Sequence, residues 1–304
     1  MRLLVTVKKQ SVRFSGSVLQ RVLPEEILDR CYWDHILCAE MARILVIVAL
    51  MVACVMAKPA AKEQAQPGYE LFEGDMMFTK DEIKAAEEGR DPSQAGGGRS
   101  LIKNRRWPNG VVPYVLDKSV KNKILNALGI KGPTERAIYS AIKEWEQKTC
   151  IRFVPRTNQK NYIEFFSGEG CWSYVGCLGN GKQKISLGSF CFTHGIAVHE
   201  IGHALGFYHE QSRPDRDNYV EIVWNNIKEK NKHNFKKYGH GTIDSLGVPY
   251  DYGSIMHYGK RDFAKWPWQT TIKVKKSGAS IGQRSHLSPL DVKQMNMFYN
   301  CNGK

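Results

Sequence analysis

No C-x-x-C pair, no N-x-[ST] sequon and no apolar run of comfortable membrane-spanning length occurs in the 304 residues. The first absence argues against a cysteine-based zinc site, the second against N-glycosylation and the third against a transmembrane helix. Acidic residues are also in short supply: 30 Asp and Glu against 44 Lys and Arg leave a net charge of +14. No recognisable nucleic-acid motif accompanies that charge, so nucleic acid is not expected as a partner. The excess is uneven, with +15 on residues 100–304, −3 on 58–99 and +2 on 1–57. An acidic segment ahead of a basic body suggests a removable partner for that body. The basic face itself reads equally as a solvated surface or as one that meets an anionic matrix.

Apolar residues at 42% and charged residues at 24% make an ordinary globular composition, long enough for one generous domain plus extras or for two. The one membrane-like run, Ile44 to Ala57, has 14 residues, which suits the apolar region of a signal peptide better than a span. Met41-Ala42-Arg43 precedes it, and Val55-Met56-Ala57 supplies small residues for cleavage. Residues 41–57 are therefore expected to be a signal peptide and 1–40 an upstream reading-frame extension, with a type II signal anchor as the alternative. Of eight cysteines, Cys31, Cys38 and Cys54 would be lost with these segments. Cys150, Cys171, Cys177, Cys191 and Cys301 remain, which leaves one unpaired if two disulfides form in an oxidising compartment. A secreted, extracellular protein is the expectation.

From Lys58 to Gly98 the chain is polar and weakly patterned, and Gly96-Gly97-Gly98-Arg99 reads as a protease-accessible linker. Beyond it, Val111 to Leu116, Ile151 to Val154, Tyr162 to Phe166 and Lys184 to Leu187 read as short strands. Pro133 and Thr134 open a helix with Ile138, Ile142 and Trp145 at helical spacing. Further helices are expected over Ile196 to Leu205, stopped by Gly206, over Asn225 to Phe235, and after the N-cap Ser288 with Pro289 and Asp291. With no internal repeat, residues 100–304 read as one α+β domain.

The chemistry concentrates in His199-Glu200-Ile201-Gly202-His203-Ala204-Leu205-Gly206-Phe207-Tyr208-His209. His199 and His203 fall one helical turn apart on one face, so both imidazoles can reach a single ion. Gly206 permits the left-handed backbone that turns the chain back and lets His209 add a third nitrogen. Three neutral imidazoles leave a position open for water, and Glu200 beside them can take its proton.

Continued through Glu210-Gln211-Ser212-Arg213-Pro214-Asp215-Arg216 and followed by Ser254-Ile255-Met256-His257-Tyr258, this stretch resembles the astacins, a branch of the metzincin zinc endopeptidases. The resemblance covers about Phe72 to Cys301. It implies a small twisted sheet with helices in the N-terminal half of the domain and a mostly irregular C-terminal half ending in a helix. It implies one Zn2+ per chain on His199, His203 and His209, and Glu200 as general base and then acid. Met256 would be the apolar floor of a Met-turn, and Tyr258 a switchable ligand that stabilises the oxyanion. Phe72-Glu73-Gly74-Asp75 matches the prosegment motif whose aspartate, here Asp75, caps the zinc, making 58–99 a propeptide and 100–304 the catalytic domain. The same resemblance pairs Cys150 with Cys301 and Cys171 with Cys191, and brings a freed N-terminus to Glu210. It leaves Cys177 unpaired, expected to be exposed and inert, with a link between two chains or competition in disulfide formation as alternatives, and places Arg284 of Ile281-Gly282-Gln283-Arg284 against an acidic residue after the scissile bond. Arg284 on the surface near the last helix is the alternative. Since only three residues follow Cys301, the expectation is a minimal, monomeric form like hatching-enzyme-type members. Its partners would be protein or peptide substrates, an activating protease, and an anionic matrix or egg-envelope surface.

Overall fold

Short alternating runs become strands, and hydrogen bonds arrange seven of them in one mixed sheet. A computed structural model describes residues 66–90, 92, 105–121, 125, 128–239 and 245–301. The expected signal segment, the stretch 1–40 and the triple-glycine linker lie outside the described residues. The strands are β1 (Tyr69–Phe72), β2 (Met76–Thr79), β3 (Val111–Leu116), β4 (Arg152–Pro155), β5 (Tyr162–Phe166), β6 (Cys171–Tyr174) and β7 (Lys182–Leu187). Their spatial order is β1-β2-β6-β7-β5-β3-β4. The β4, β3, β5 and β7 strands run parallel, and β6 is antiparallel to β7. The far edge of β6 is covered by β2, which pairs with it in parallel, Met76 opposite Ser173.

Against the sheet lie α2 (Pro133–Lys148) and α3 (His194–Leu205), while α1 (Lys80–Glu87) follows β2. Ala137, Ile138, Ala141, Ile142 and Trp145 make the buried face of α2, each large apolar side chain contributing about 1.5–3 kcal/mol. The Trp145 indole N–H donates to the Val198 carbonyl (3.2 Å) and that of Trp107 to Ala204 (2.8 Å), so both anchor α3. Nearly every residue of α3 is buried; it is a central helix, and the functional stretch sits on it.

The C-terminal half is mostly irregular, as expected, around an antiparallel pair β8 (Val220–Ile222) and β9 (Ile272–Val274), and ends in α4 (Pro289–Phe298). Among the described residues two disulfides form. Cys150–Cys301 ties the segment after α2 to the segment after α4, and Cys171–Cys191 ties β6 to the entry of α3.

Three readings of the sequence need correction. Residues 225–235 form no α-helix but two 3-10 segments, Trp224–Asn226 and Glu229–Phe235. Between them Ile227 bridges to Ala264, and the Lys228 N–H donates to Phe263 O (3.4 Å), so the backbone is taken by a neighbouring strand-like segment. The weakly patterned stretch before Gly98 holds β1, β2 and α1; its helix starts in a capping box of Thr79 and Glu82. Cys177 is buried rather than exposed, as small apolar thiols commonly are, and burial pushes the thiol up.

Asp291 has two tasks. It completes the capping box of α4 with Ser288, and its carboxylate accepts from Ser254 Oγ (2.7 Å) and the Ile255 N–H (2.9 Å). It thereby fixes the turn that leads to Met256 and Tyr258. Replacing it with Ala strands buried donors at both places, so Asp291→Ala should cost about 2–4 kcal/mol. Urea unfolding measures this, and a loss below roughly half a kilocalorie would contradict the role.

Candidate metal centre

Gly206 caps α3 in a left-handed conformation (φ 118°), where a Cβ would also lie 2.9 Å from the Phe298 ring. Glycine is needed here on both counts. The chain reverses, and His209 returns over the face that carries His199 and His203. Their ring centroids lie 4.7, 4.8 and 5.4 Å apart.

The outer nitrogen of each ring is engaged. Nδ1 of His199 donates to Ile255 O (2.8 Å), that of His203 to Phe207 O (2.8 Å), and that of His209 faces Glu73 Oε2 (2.7 Å). Carbonyls and carboxylates only accept, so Nδ1 carries a proton in every ring, and a ring that is neutral keeps its lone pair on Nε2. The three Nε2 atoms converge on one carboxylate. Asp75 lies 3.1 Å from His199, 3.6 Å from His203 and 3.1 Å from His209. One donor atom from each of the four residues falls within 4.8 Å of the others. His203 Nε2 and Asp75 Oδ1 are buried and make no hydrogen bond. Orphaned atoms of this kind, in a set of three imidazoles and one carboxylate with oriented outer nitrogens, fit a zinc ion.

Asp75 reaches this point through a tight turn between β1 and β2. Glu73 (φ 50°) and Gly74 (φ 90°) are both left-handed, and a Cβ on Gly74 would strike the Phe263 ring at 2.7 Å. Glu73 was not anticipated as a site residue; the sequence offered only its place as the variable position of the motif. It is almost fully buried, and its Oε1 accepts from Ser212 Oγ (3.1 Å) while Oε2 faces His209. Its backbone carbonyl accepts the Tyr258 hydroxyl (2.5 Å).

Electrostatics follow from this crowding. Burial raises the Asp75 carboxyl, but the His209 charge and the three imidazole contacts outweigh it and hold the group well below its usual range. Burial lowers His209, yet the Asp75 and Glu73 carboxylates more than reverse that and push it up to about 9. Burial takes His199 down to about 3. Glu200 is pushed well above the ordinary range by burial and by the neighbouring Asp75, and its Oε2 has no hydrogen-bond partner. Tyr258 is held as a neutral phenol by burial and by the Glu73 and Asp75 charges.

A cavity of about 420 Å³ opens here, lined by Asp75, His199, Glu200, Tyr258, Phe263 and Arg284 among others. Met256 is buried against α3, so that a Cβ on Gly202 would lie 2.9 Å from its sulfur. The Tyr258 N–H donates to Gln211 Oε1 (3.0 Å). Arg284 Nη1 donates to the carbonyls of His257 and Gln283 (both 2.9 Å), which turns the guanidinium to the cavity wall. Glu210 is buried, accepts from Arg213 Nη1 (3.1 Å) and the Asp251 N–H (2.8 Å), and is pushed up to about 8 by burial. The structure brings the three histidines, Glu200, Asp75, Tyr258 and Arg284 to one region, with Met256 beneath α3 and the Glu210 N–H donating to Met256 O (3.2 Å).

Metal analysis of the purified chain should find about one zinc. His203→Ala should bring this to background, because it removes the nitrogen that has no other partner. Full zinc in that variant would place the ion elsewhere.

The model of the peptidase family described as Astacin matches residues 100–300. Blastula protease 10 of Paracentrotus lividus is 42% identical over 241 residues, covering 76% of this chain and 38% of that protein. Meprin A subunit beta of Mus musculus is 41% identical over 236 residues, covering 77% of this chain and 30% of its own length. The chain thus spans about two fifths or less of these relatives. Among solved structures, High choriolytic enzyme 1, a hatching enzyme zinc-protease from Oryzias latipes, aligns with a TM-score of 0.57 at 38% identity, covering 65% of this chain and 94% of that one. A match that runs from residue 100 to residue 300, across β3 to β9 and the three histidines alike, establishes that the chain belongs to the astacin family of peptidases.

Proposed function

We propose that the chain is a secreted zinc endopeptidase made in a latent form, with 100–304 as catalytic domain and 58–99 as a removable propeptide. One observation carries the reading. Three Nε2 atoms, each on a ring whose opposite nitrogen faces an acceptor, meet the Asp75 carboxylate beside a buried Glu200 whose Oε2 is unpaired.

His199, His203 and His209 would hold the zinc, which would supply Lewis acidity toward a peptide carbonyl and toward water. The rest falls to the chain's own groups. Glu200 removes a proton from the attacking water and delivers it to the departing amine; the burial that favours its protonated form suits a group that must carry that proton. The Tyr258 hydroxyl, which now donates to the Glu73 carbonyl, becomes a donor to the developing oxyanion once the segment leaves. The β6 edge covered by β2, where the Ser173 N–H donates to Asp75 O (2.8 Å), then takes an extended substrate strand through its backbone. Cleavage near Gly98 to Ser100 by an activating protease would release the segment, and the new terminal ammonium would find the buried Glu210. Substrates are extracellular proteins or peptides.

Glu200→Ala should keep the zinc and lose roughly 10²–10⁴ of turnover on casein. Undiminished hydrolysis would remove Glu200 from the mechanism. Asp75→Ala should hydrolyse casein without processing, while the unprocessed wild type stays silent; equal activity in the two would end the latency reading.

Arg284 bears on which bonds are cut. A guanidinium fixed at the cavity wall should favour a carboxylate just after the scissile bond. At a partly exposed pair this is worth about 1–2 kcal/mol, a preference of roughly five- to thirty-fold. Peptide-library profiling of the activated enzyme should show Asp or Glu enriched there, and the enrichment should collapse in Arg284→Ala. A profile unchanged by the substitution would give the position to another residue.

A further inference from the structure

Past the cavity, the segment that carries Asp262 and Phe263 leads within a few residues to a pair of tryptophans held in water. Trp266 is 57% and Trp268 69% exposed, their ring centroids 5.6 Å apart and their planes within 7° of parallel. Large exposed aromatic surface of this kind marks an interaction site. The two indoles stack into one slab, and the turn beneath them is braced. Ala264 bridges to Ile227, the Lys265 N–H donates to Asn226 O (2.8 Å), Asn226 Nδ2 donates to Thr270 O (2.8 Å), and the Gln269 N–H donates to Trp266 O (3.0 Å). A platform fixed in advance loses little entropy when it binds.

The surroundings set the chemistry of the occupant. Lys260, Arg261 and Lys265 on the same segment are exposed, as are Lys228 and Lys230 on the segment bridged to it. None of the five has a carboxylate partner among the described residues, and the nearby Glu229 is engaged by Lys232 (2.7 Å). Flat aromatic faces within a cationic collar call for a partner that offers flat apolar faces and repeated anionic groups. Pyranose rings bearing sulfates or carboxylates do so: their C–H faces lie on indole, and their anions pair with the collar. A bilayer suits the site less, because Lys265, Gln269 and Thr270 flank the indoles with no aliphatic side chain to enter the acyl region. Nucleic acid has matching charge, but two disulfides belong to an oxidising compartment.

We propose that Trp266 and Trp268, with Lys260, Arg261 and Lys265, form a docking site for an acidic polysaccharide beside the cleft. It would hold the enzyme on a matrix whose proteins it cuts. The inference rests on the extracellular reading above for the source of its partner, but its test needs no catalysis.

Binding of size-defined heparin fragments to the full chain is measured by calorimetry at several salt concentrations, with phosphatidylserine–phosphatidylcholine vesicles as the second probe. The wild type should bind heparin more weakly as salt rises. Trp266→Ala/Trp268→Ala should weaken binding about tenfold or more, since buried Trp anchors dominate such contacts, and should leave the thermal midpoint unchanged. Lys260→Ala/Arg261→Ala/Lys265→Ala should weaken it too and flatten the salt dependence. Absence of heparin binding overturns the proposal. So does heparin binding that survives loss of both tryptophans, or a tryptophan-dependent binding of vesicles but not of heparin. Casein hydrolysis by the activated variants is read separately: if no form hydrolyses casein the protease reading fails while the docking result stands.

Discussion

Three imidazole nitrogens aimed at one point in a dry interior repel one another unless something electropositive or proton-bearing lies between them. That constraint organises the molecule. Each ring needs an acceptor behind it to keep its lone pair inward, and the acceptors come from three distant places: Ile255 in the turn before Met256, Phe207 in the reversal after Gly206, and Glu73 on the N-terminal segment. Each acceptor is itself held. Asp291 fixes Ile255, the left-handed Gly206 fixes the reversal, and the β1–β2 turn fixes Glu73. Burial makes the arrangement costly to leave incomplete, since unpaired polar atoms in such surroundings lose their hydration without return.

On the proposed reading, latency is enforced at several points by one short segment. Asp75 faces the inner nitrogens, the Glu73 carboxylate faces the outer nitrogen of His209, and the Glu73 carbonyl occupies the Tyr258 hydroxyl. The β2 strand covers the edge of β6 at the same time. The acidic bias of residues 58–99 thus acts through two particular carboxylates placed among histidines, where a low dielectric strengthens each interaction. Removing the segment would change the electrostatics of Glu200, the freedom of Tyr258 and the availability of a strand edge in a single event.

Legibility in the sequence followed locality. His199 and His203 were readable because helical spacing alone puts them on one face, and Gly206 because its backbone freedom is intrinsic. The α+β architecture, the helix with Trp145 and the Ser288 cap were readable for the same reason. Residues 225–235 misled because Lys228 and Ile227 give their backbone to partners near Ala264, which lie far away in sequence. The hairpin and helix of residues 69–87 passed unread because β2 is held in place by pairing with β6, about a hundred residues on.

By itself, then, the amino-acid order determined the donors of the metal centre, their spacing, the neighbouring Glu200 and, through family motifs, the pairing of the cysteines. Tertiary structure alone decided that Glu73 backs His209, that Asp291 joins the last helix to the Met256 turn, that Cys177 is buried, and that two stacked tryptophans stand exposed. The division has one physical cause. Helical spacing and backbone freedom are properties of a few consecutive residues, whereas a buried carboxylate acquires its role from whichever distant groups the fold packs against it.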